Sequence, residues 1–290
     1  MILILTGCKS QKKQVAKFQK KDRAPASLGD ISRGLQNILK ETEKLESILD
    51  GTDYEVEKVE MEKAKEEEKA KTERTIEVKN EAKGLTSGQG GQGGGQSSGE
   101  SKGTQSKEQK KSQDKDEKLL STWEKIDKTI EDIHKKWNSY GPEGMKKGVT
   151  SQMSSRFTDS LNALTKSIES RSVIDIYDYS SQSMLNLSSM LGLYKDEILG
   201  EIDKLKYATY QSYLNALKGD DAKSAELLKT SEDDVSKIRL KLEKNDSKIK
   251  MLDKVNLSMD DMSKSIKEKS IKLTRIKRDI IIKNLEELGK

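Results

Sequence analysis

The chain has 290 residues, 55 of them Lys or Arg and 50 Asp or Glu, so its formal net charge of +5 is a small imbalance on a heavily charged molecule. Nucleic-acid binding calls for a sharper basic footprint than that imbalance, and a single cysteine excludes an internal disulfide or a thiolate metal cluster. Two prolines, few aromatic residues and an abundance of Lys, Glu, Leu, Ile and Ser predict an all-α protein with essentially no sheet.

The first residues are apolar, MILIL, followed by Thr6, Gly7 and the only cysteine, Cys8. Leu5-Thr6-Gly7-Cys8 resembles the lipobox that closes a bacterial lipoprotein signal peptide, and the resemblance covers these four residues and the apolar run before them. It implies that residues 1–8 are the end of such a signal and that Cys8 carries a diacylglycerol on its sulfur. Cys8 would then become the N-terminus once Met1–Gly7 are removed. A secretory signal has a basic n-region and an apolar core of about 7–15 residues, so the true start is expected upstream of Met1. The plainer reading is a frayed terminus with an unmodified thiol.

Residues 9–26 form a basic arm in which Lys9, Lys12, Lys13, Lys17, Lys20, Lys21 and Arg23 face only Asp22. Such a cluster is drawn to anionic headgroups or to an anionic wall polymer. One acyl chain alone holds weakly, whereas a chain plus a polybasic patch anchors stably. No other stretch approaches the roughly 20 apolar residues needed to cross a bilayer. The expected location is extracytoplasmic, lipid-anchored to the cell membrane.

Residues 27–51 predict an amphipathic helix. Ser27 and Asp30 are spaced as N-cap and capping-box partner, and Leu28, Ile31, Leu35, Ile38, Leu45 and Ile48/Leu49 recur at three and four residues. Asp50-Gly51 closes it. Its stripe requires a cover, which is the downstream domain, a second copy in a homodimer, or a partner. Residues 52–115 are first Glu/Lys/Ala-rich and then Gly/Ser/Gln-rich, the composition of a disordered, charged stalk or tether.

The helical bundle domain is expected over residues 116–290. Trp123, Ile126, Ile130, Ile133 and Trp137 share one stripe, which Tyr140-Gly141-Pro142-Glu143-Gly144 is expected to break. Val149, Met153, Phe157, Leu161, Leu164 and Ile168 mark the second arm of an antiparallel hairpin. Two helices, about 172–191 and 193–217, form the most apolar segment and belong at the bundle centre, with Gly219-Asp220-Asp221 ending one helix and capping the next. Further on, Leu228, Val235, Ile238, Leu242, Ile249 and Leu252 keep a heptad stripe with Ser231, Asn245 and Asn256 at its polar steps. Met259, Met262, Ile266, Leu273, Ile276 and Ile280 form another, and a turn is expected at Asn256-Leu257-Ser258. The fold class that follows is an elongated all-α helical bundle with coiled-coil-like antiparallel hairpins.

Chemistry-bearing patterns are few. There is no nucleophile elbow, and the glycine-rich stretch lacks the flanking strand and helix of a phosphate-binding loop. Glu131 and His134 stand at i, i+3, the spacing that puts a carboxylate and an imidazole on one helix face in metal-binding bundles. A lone histidine beside an apolar stripe is more often structural. Tyr207, Tyr210 and Tyr213 follow at three-residue steps, either as a stacking surface for a sugar or peptide or as the boundary of a helical core. Lys264, Lys267, Lys269, Lys272, Arg275, Lys277, Arg278 and Lys283 make the last helix basic, a solvated face or a surface for an anionic layer. The reading these patterns support is a lipoprotein that presents a non-catalytic helical binding domain at the cell envelope, without cofactor and without nucleic acid. Its expected partners are membrane lipid through Cys8, an anionic envelope surface through the arm, and a protein or envelope ligand. The alternative is an envelope metal- or small-ligand-binding protein acting in uptake.

Overall fold

A computed structural model describes residues 23–49, 102–195, 198–243 and 245–290, with residues 102–112 as helical backbone only. Cys8, most of the basic arm, the helix stop at Asp50-Gly51 and residues 52–101 of the expected stalk lie outside the described residues, whereas residues 102–115, expected to continue that stalk, are helical and begin α2 ahead of the expected bundle start at Asp116. What is described is an all-helical bundle, without a strand among the described residues. Its elements are α1 (26–49), α2 (Lys102–Lys147), α3 (Ser151–Glu169), α4 (Val173–Leu191), α5 (Leu199–Leu217), α6 (Asp221–Thr230), α7 (Glu232–Lys241), α8 (Asp246–Lys267) and α9 (Ile271–Leu288).

The stripe of α1 finds its cover within the same chain. Leu28, Ile31, Leu35, Ile38 and Leu45 share one continuous core with Ile126, Ile130 and Ile133 of α2, Phe157 and Leu161 of α3, and Ile176 and Leu187 of α4. α1 runs antiparallel to α2. Lys136 lies 3.5 Å from Asp30, and Gly34 sits so close to Ile133 that a Cβ there would meet its Cγ1 at 2.7 Å. The other end of α1 carries Ser47, which shares a groove with Ser121. Residues 50–101 therefore connect the two arms of a helical hairpin, and residues 9–25 span the distance from Cys8 to the bundle.

The α2–α3 hairpin is antiparallel as expected, held by Trp137 Nε1 donating to Thr158 Oγ1 at 3.1 Å and Arg171 donating to both oxygens of Asp127. The break expected at Pro142 does not occur, because α2 continues through it to Lys147. Tyr140 is buried there with its hydroxyl 3.1 Å from that of Tyr194, and Gly144 lies against the Tyr140 ring. Burying such a ring contributes an energy of the same order as the roughly 3 kcal/mol that an internal proline costs. The chain turns at Gly148 instead, with φ of +100°, and Thr150 caps α3 by accepting from Met153 N–H.

α5 occupies the centre, with thirteen of its nineteen residues buried. Tyr210 and Leu214 face the core built with α1–α4, and Ile202, Leu205, Tyr213 and Ala216 face a second core built with α6–α9. Asp220 caps α6 by accepting from Lys223 N–H after Gly219 turns the chain at φ of +76°, as the spacing predicts.

Three expectations near the C-terminus are corrected. Residues 256–258 lie inside α8, where Ser258 Oγ donates to the Lys254 carbonyl and accepts from Asn284. The turn falls at residues 268–270, with Lys269 at φ of +56° and Ser270 capping α9. The supposed continuous heptad stripe is also divided among α6, α7 and α8, and Asn245 serves as the N-cap of α8 rather than as a seam residue. In α9 the phase differs too. Thr274, Arg278, Ile281, Leu285 and Leu288 are buried, while Ile276 and Ile280 are exposed.

Because six α1 side chains (Leu28, Ile31, Leu35, Ile38, Leu39 and Leu45) are almost completely buried, their loss would remove roughly 9–18 kcal/mol at about 1.5–3 kcal/mol each. That is comparable to the whole net stability of an ordinary domain, about 5–15 kcal/mol. A chain beginning at Asp116 is accordingly expected to show no cooperative urea transition by near-ultraviolet circular dichroism. A midpoint equal to that of the full chain would show that α1 is dispensable.

Candidate functional site

The periodicity of α5 places Tyr210 and Tyr213 one turn apart on the side facing α1 and α9, where both are almost fully buried. Tyr213 Oη donates to Glu46 Oε1 at 2.6 Å, Tyr177 Oη to Glu46 Oε2 at 2.9 Å, and Tyr210 Oη to Glu43 Oε1 at 2.7 Å. Arg278 enters the same space from α9. Its Nη2 donates to Glu46 Oε2 at 2.8 Å and lies 2.7 Å from Asp279 Oδ1. Its guanidinium carbon is 4.3 Å from the Tyr213 ring centre and 4.9 Å from that of Tyr177. Nη1 is buried without a hydrogen-bond acceptor among the described residues, and the surrounding rings supply cation–π contact instead.

The three expected tyrosines therefore do not form a ligand surface. Tyr210 and Tyr213 are interior ties between α5 and α1, and Tyr207 is half-buried beside Asp178. Arg278, grouped by sequence with a basic exposed face, is only 1% exposed. The groups that sequence reasoning missed, Glu43, Glu46 and Arg278, had a readable signal. Thr274, Arg278, Ile281 and Leu285 recur at four and three residues, so Arg278 occupies a stripe position, and Glu46 stands seven residues after Leu39.

The electrostatics of the two glutamates differ although they lie one turn apart. Burial pushes the Glu46 carboxyl up, but the Arg278 charge and the hydrogen bonds from Tyr213, Arg278 and Tyr177 outweigh it and hold the group below its ordinary value of 4.5. Glu43 is raised above that value because burial outweighs the Tyr210 hydrogen bond and the Arg278 charge. Burial first, and then the neighbouring carboxylates, keep Tyr177, Tyr210 and Tyr213 protonated.

Glu131 and His134 are not brought together. His134 Nε2 lies 2.9 Å from Thr165 Oγ1 on α3, and burial lowers its pKa. The Glu131 side chain, 70% exposed, pairs with Lys135 at 3.7 Å. No group of three His, Cys, Asp or Glu side chains with metal-binding proximity occurs among the described residues.

Two concavities remain. A groove of about 910 Å³ between α1 and α2 is lined by both signs of charge, including Lys40, Glu43, Lys44, Glu117 and Lys118. A cavity of about 450 Å³ lies where the first half of α1, the start of α5, the start of α8 and the end of α9 meet. Lys206 borders it at 2% exposure. Burial pulls its ammonium pKa down against the charges of Asp203 and Glu286. Asp203, itself fully buried, accepts from Ser32 Oγ at 2.8 and 3.1 Å. The chain matches no protein-family profile, no curated protein and no solved structure.

The two glutamates make opposite predictions. Glu46, with a lowered folded pKa, contributes stability that is present above its unfolded pKa and lost as pH falls through the folded value. Glu43, with a raised folded pKa, contributes stability that is present below its unfolded pKa and lost as pH rises through the folded value. Glu46→Gln is expected to cost about 3 kcal/mol at neutral pH, the low end for breaking a buried pair, because Asp279 still faces Arg278. It should also flatten the loss of stability below pH 4.5. Glu43→Gln is expected to leave neutral-pH stability equal or higher. Urea unfolding across a pH series measures both, and equal losses in the two variants would contradict this assignment.

Proposed function

We propose that this chain is a lipid-anchored, extracytoplasmic protein of a bacterial cell envelope whose helical bundle binds a partner without catalysing a reaction. The observation that carries the reading is the order of parts, with Leu5-Thr6-Gly7-Cys8 followed by a Lys/Arg-rich arm and then by a bundle whose first helix begins at residue 26. Seventeen residues separate Cys8 from that helix, and a chain of that length reaches at most about 60 Å. The bundle in this reading stays close to the bilayer, with the cationic arm between the two where anionic headgroups lie. An acyl chain and a polybasic patch together suffice for a stable anchor. No helix among the described residues is long and apolar enough to cross a membrane.

Support for binding without catalysis comes from where the reactive residue types stand. The one histidine is engaged by Thr165, and the one cysteine is the residue the anchor uses. The buried tyrosines, Glu46 and Arg278 are committed to one another. Partners in this reading are bilayer lipid through Cys8, an anionic envelope surface through the arm, and a protein or envelope ligand at the bundle.

The protein expressed in a bacterial host with the reading frame upstream of Met1 included is expected to gain the mass of a diacylglyceryl group on Cys8, to begin at Cys8, and to fractionate with membranes. Cys8→Ser is expected to be soluble and unmodified. A wild-type chain recovered soluble at its unmodified mass would overturn the proposal.

A further inference from the structure

The outer side of α9 carries a line of residues unlike its buried side. Lys272, Ile276, Ile280 and Lys283 recur at steps of four, four and three residues, so they are neighbours along one face, and all four are exposed. Thr274, Arg278, Ile281 and Leu285 occupy the opposite face and are buried. Ile276 is 46% and Ile280 41% exposed. Of the ten large apolar side chains exposed among the described residues, four (Leu257, Ile271, Ile276 and Ile280) belong to the α8–α9 hairpin. An apolar side chain exposed singly needs no explanation, whereas adjoining ones rimmed by polar groups mark an interaction surface.

The charge around that line has one dominant sign. From Lys264 to Lys283 the sequence places eight Lys or Arg against two acids, Glu268 and Asp279. Arg278 is withdrawn into the core, where it engages Glu46 and Asp279, and Lys277 pairs with Asp261 at 3.1 Å. Lys264, Lys267, Lys269, Lys272 and Lys283 stay exposed, with Asp260, Asp261 and Glu287 at the margins. A lysine lays its aliphatic stem along an apolar phase while its ammonium stays in water, so it can border such a phase at little cost. A soluble polyanion would satisfy these lysines and leave Ile276 and Ile280 in water. A bilayer with anionic headgroups takes both, phosphate oxygens at the lysines and the headgroup–acyl boundary at the isoleucines.

We infer that the outer face of α9 is a peripheral docking surface for an anionic lipid bilayer, with Ile276 and Ile280 entering the boundary between headgroups and acyl chains and Lys272 and Lys283 meeting the phosphate oxygens beside them. The surface belongs to the folded bundle and needs neither lipid on Cys8 nor the arm, so this assignment and the Cys8 anchor can fail separately. Docking there lays α9 along the membrane and leaves the Glu46–Arg278 pair on the side of the helix that faces away from it.

The full chain with Cys8→Ser has no other thiol, so Ile276→Cys or Ile280→Cys in that background places one polarity-sensitive fluorophore on the surface. Ser155→Cys, at an exposed position of α3, is the reference. Each labelled chain would be mixed with phosphatidylcholine vesicles, with vesicles of phosphatidylcholine and phosphatidylglycerol in equal parts, and with soluble polyphosphate. Blue-shifted emission is expected from the labels at 276 and 280 with the phosphatidylglycerol vesicles only, and no shift is expected from the label at 155. Adding Lys272→Gln and Lys283→Gln to the Ile276→Cys chain, both changes on exposed side chains, should raise the lipid concentration at half-maximal shift roughly tenfold or more, as two lysines at an anionic surface imply. A chain that sediments with the anionic vesicles while the labels at 276 and 280 stay in water would assign attachment to the arm alone and overturn the surface. An equal shift with phosphatidylcholine alone, with polyphosphate or from the label at 155 would overturn it too, as would an unchanged half-maximal lipid concentration in the double-lysine variant.

Discussion

The contact on which the bundle depends is the Glu46–Arg278 ion pair, because it ties the first described helix to the last across the middle one. Those residues are 232 positions apart, and their 2.8 Å contact sits between rings contributed by α4 and α5. Coulomb attraction alone does not pay for taking both charges out of water. What makes the arrangement stable is that Glu46 accepts from two tyrosine hydroxyls as well as from Arg278, while the guanidinium lies against aromatic faces. A hydrophobic pair of equal volume could match its energy. It would not impose the same register on α1, α5 and α9, since apolar side chains tolerate sliding and a three-donor carboxylate does not.

Around this centre the helices approach closely by using small hydroxyl residues. Ser181, Ser188, Thr209 and Ser265 donate to carbonyls of their own helices, which removes the penalty of burying a hydroxyl while leaving little bulk at the contact. Ser212 and Ser224 go further, exchanging hydroxyl-to-carbonyl bonds between α5 and α6. The chain thereby builds a well-buried interior despite containing few aromatic residues and a third of its length in charged side chains.

The elements legible in the sequence were those whose period and punctuation agreed. The α2 and α3 stripes, the apolar centre at α4 and α5, and the Gly219-Asp220 turn are of this kind. Misreadings arose where a local signal met a stronger tertiary one. Pro142 signalled a break, but the burial of Tyr140 carried α2 past it. In α9, Ile276 and Ile280 suggested a stripe one phase away from the buried Thr274, Arg278 and Ile281, because hydrophobicity alone assigns an arginine to solvent. The Lys206 cavity was not legible at all. Its lining comes from four helices, and no spacing within any one of them announces that they converge.

The convergence also has an orientation. The cavity is lined by Gly29, Ser32, Arg33 and Asn37, which belong to the half of α1 nearest the arm, whereas the hairpin connection leaves from the opposite end of that helix. A helix of 24 residues is about 36 Å long at 1.5 Å per residue, so the two ends of α1 are well separated. The chain therefore enters the bundle at the cavity end of α1, and the connection to α2 starts from the other end of that helix.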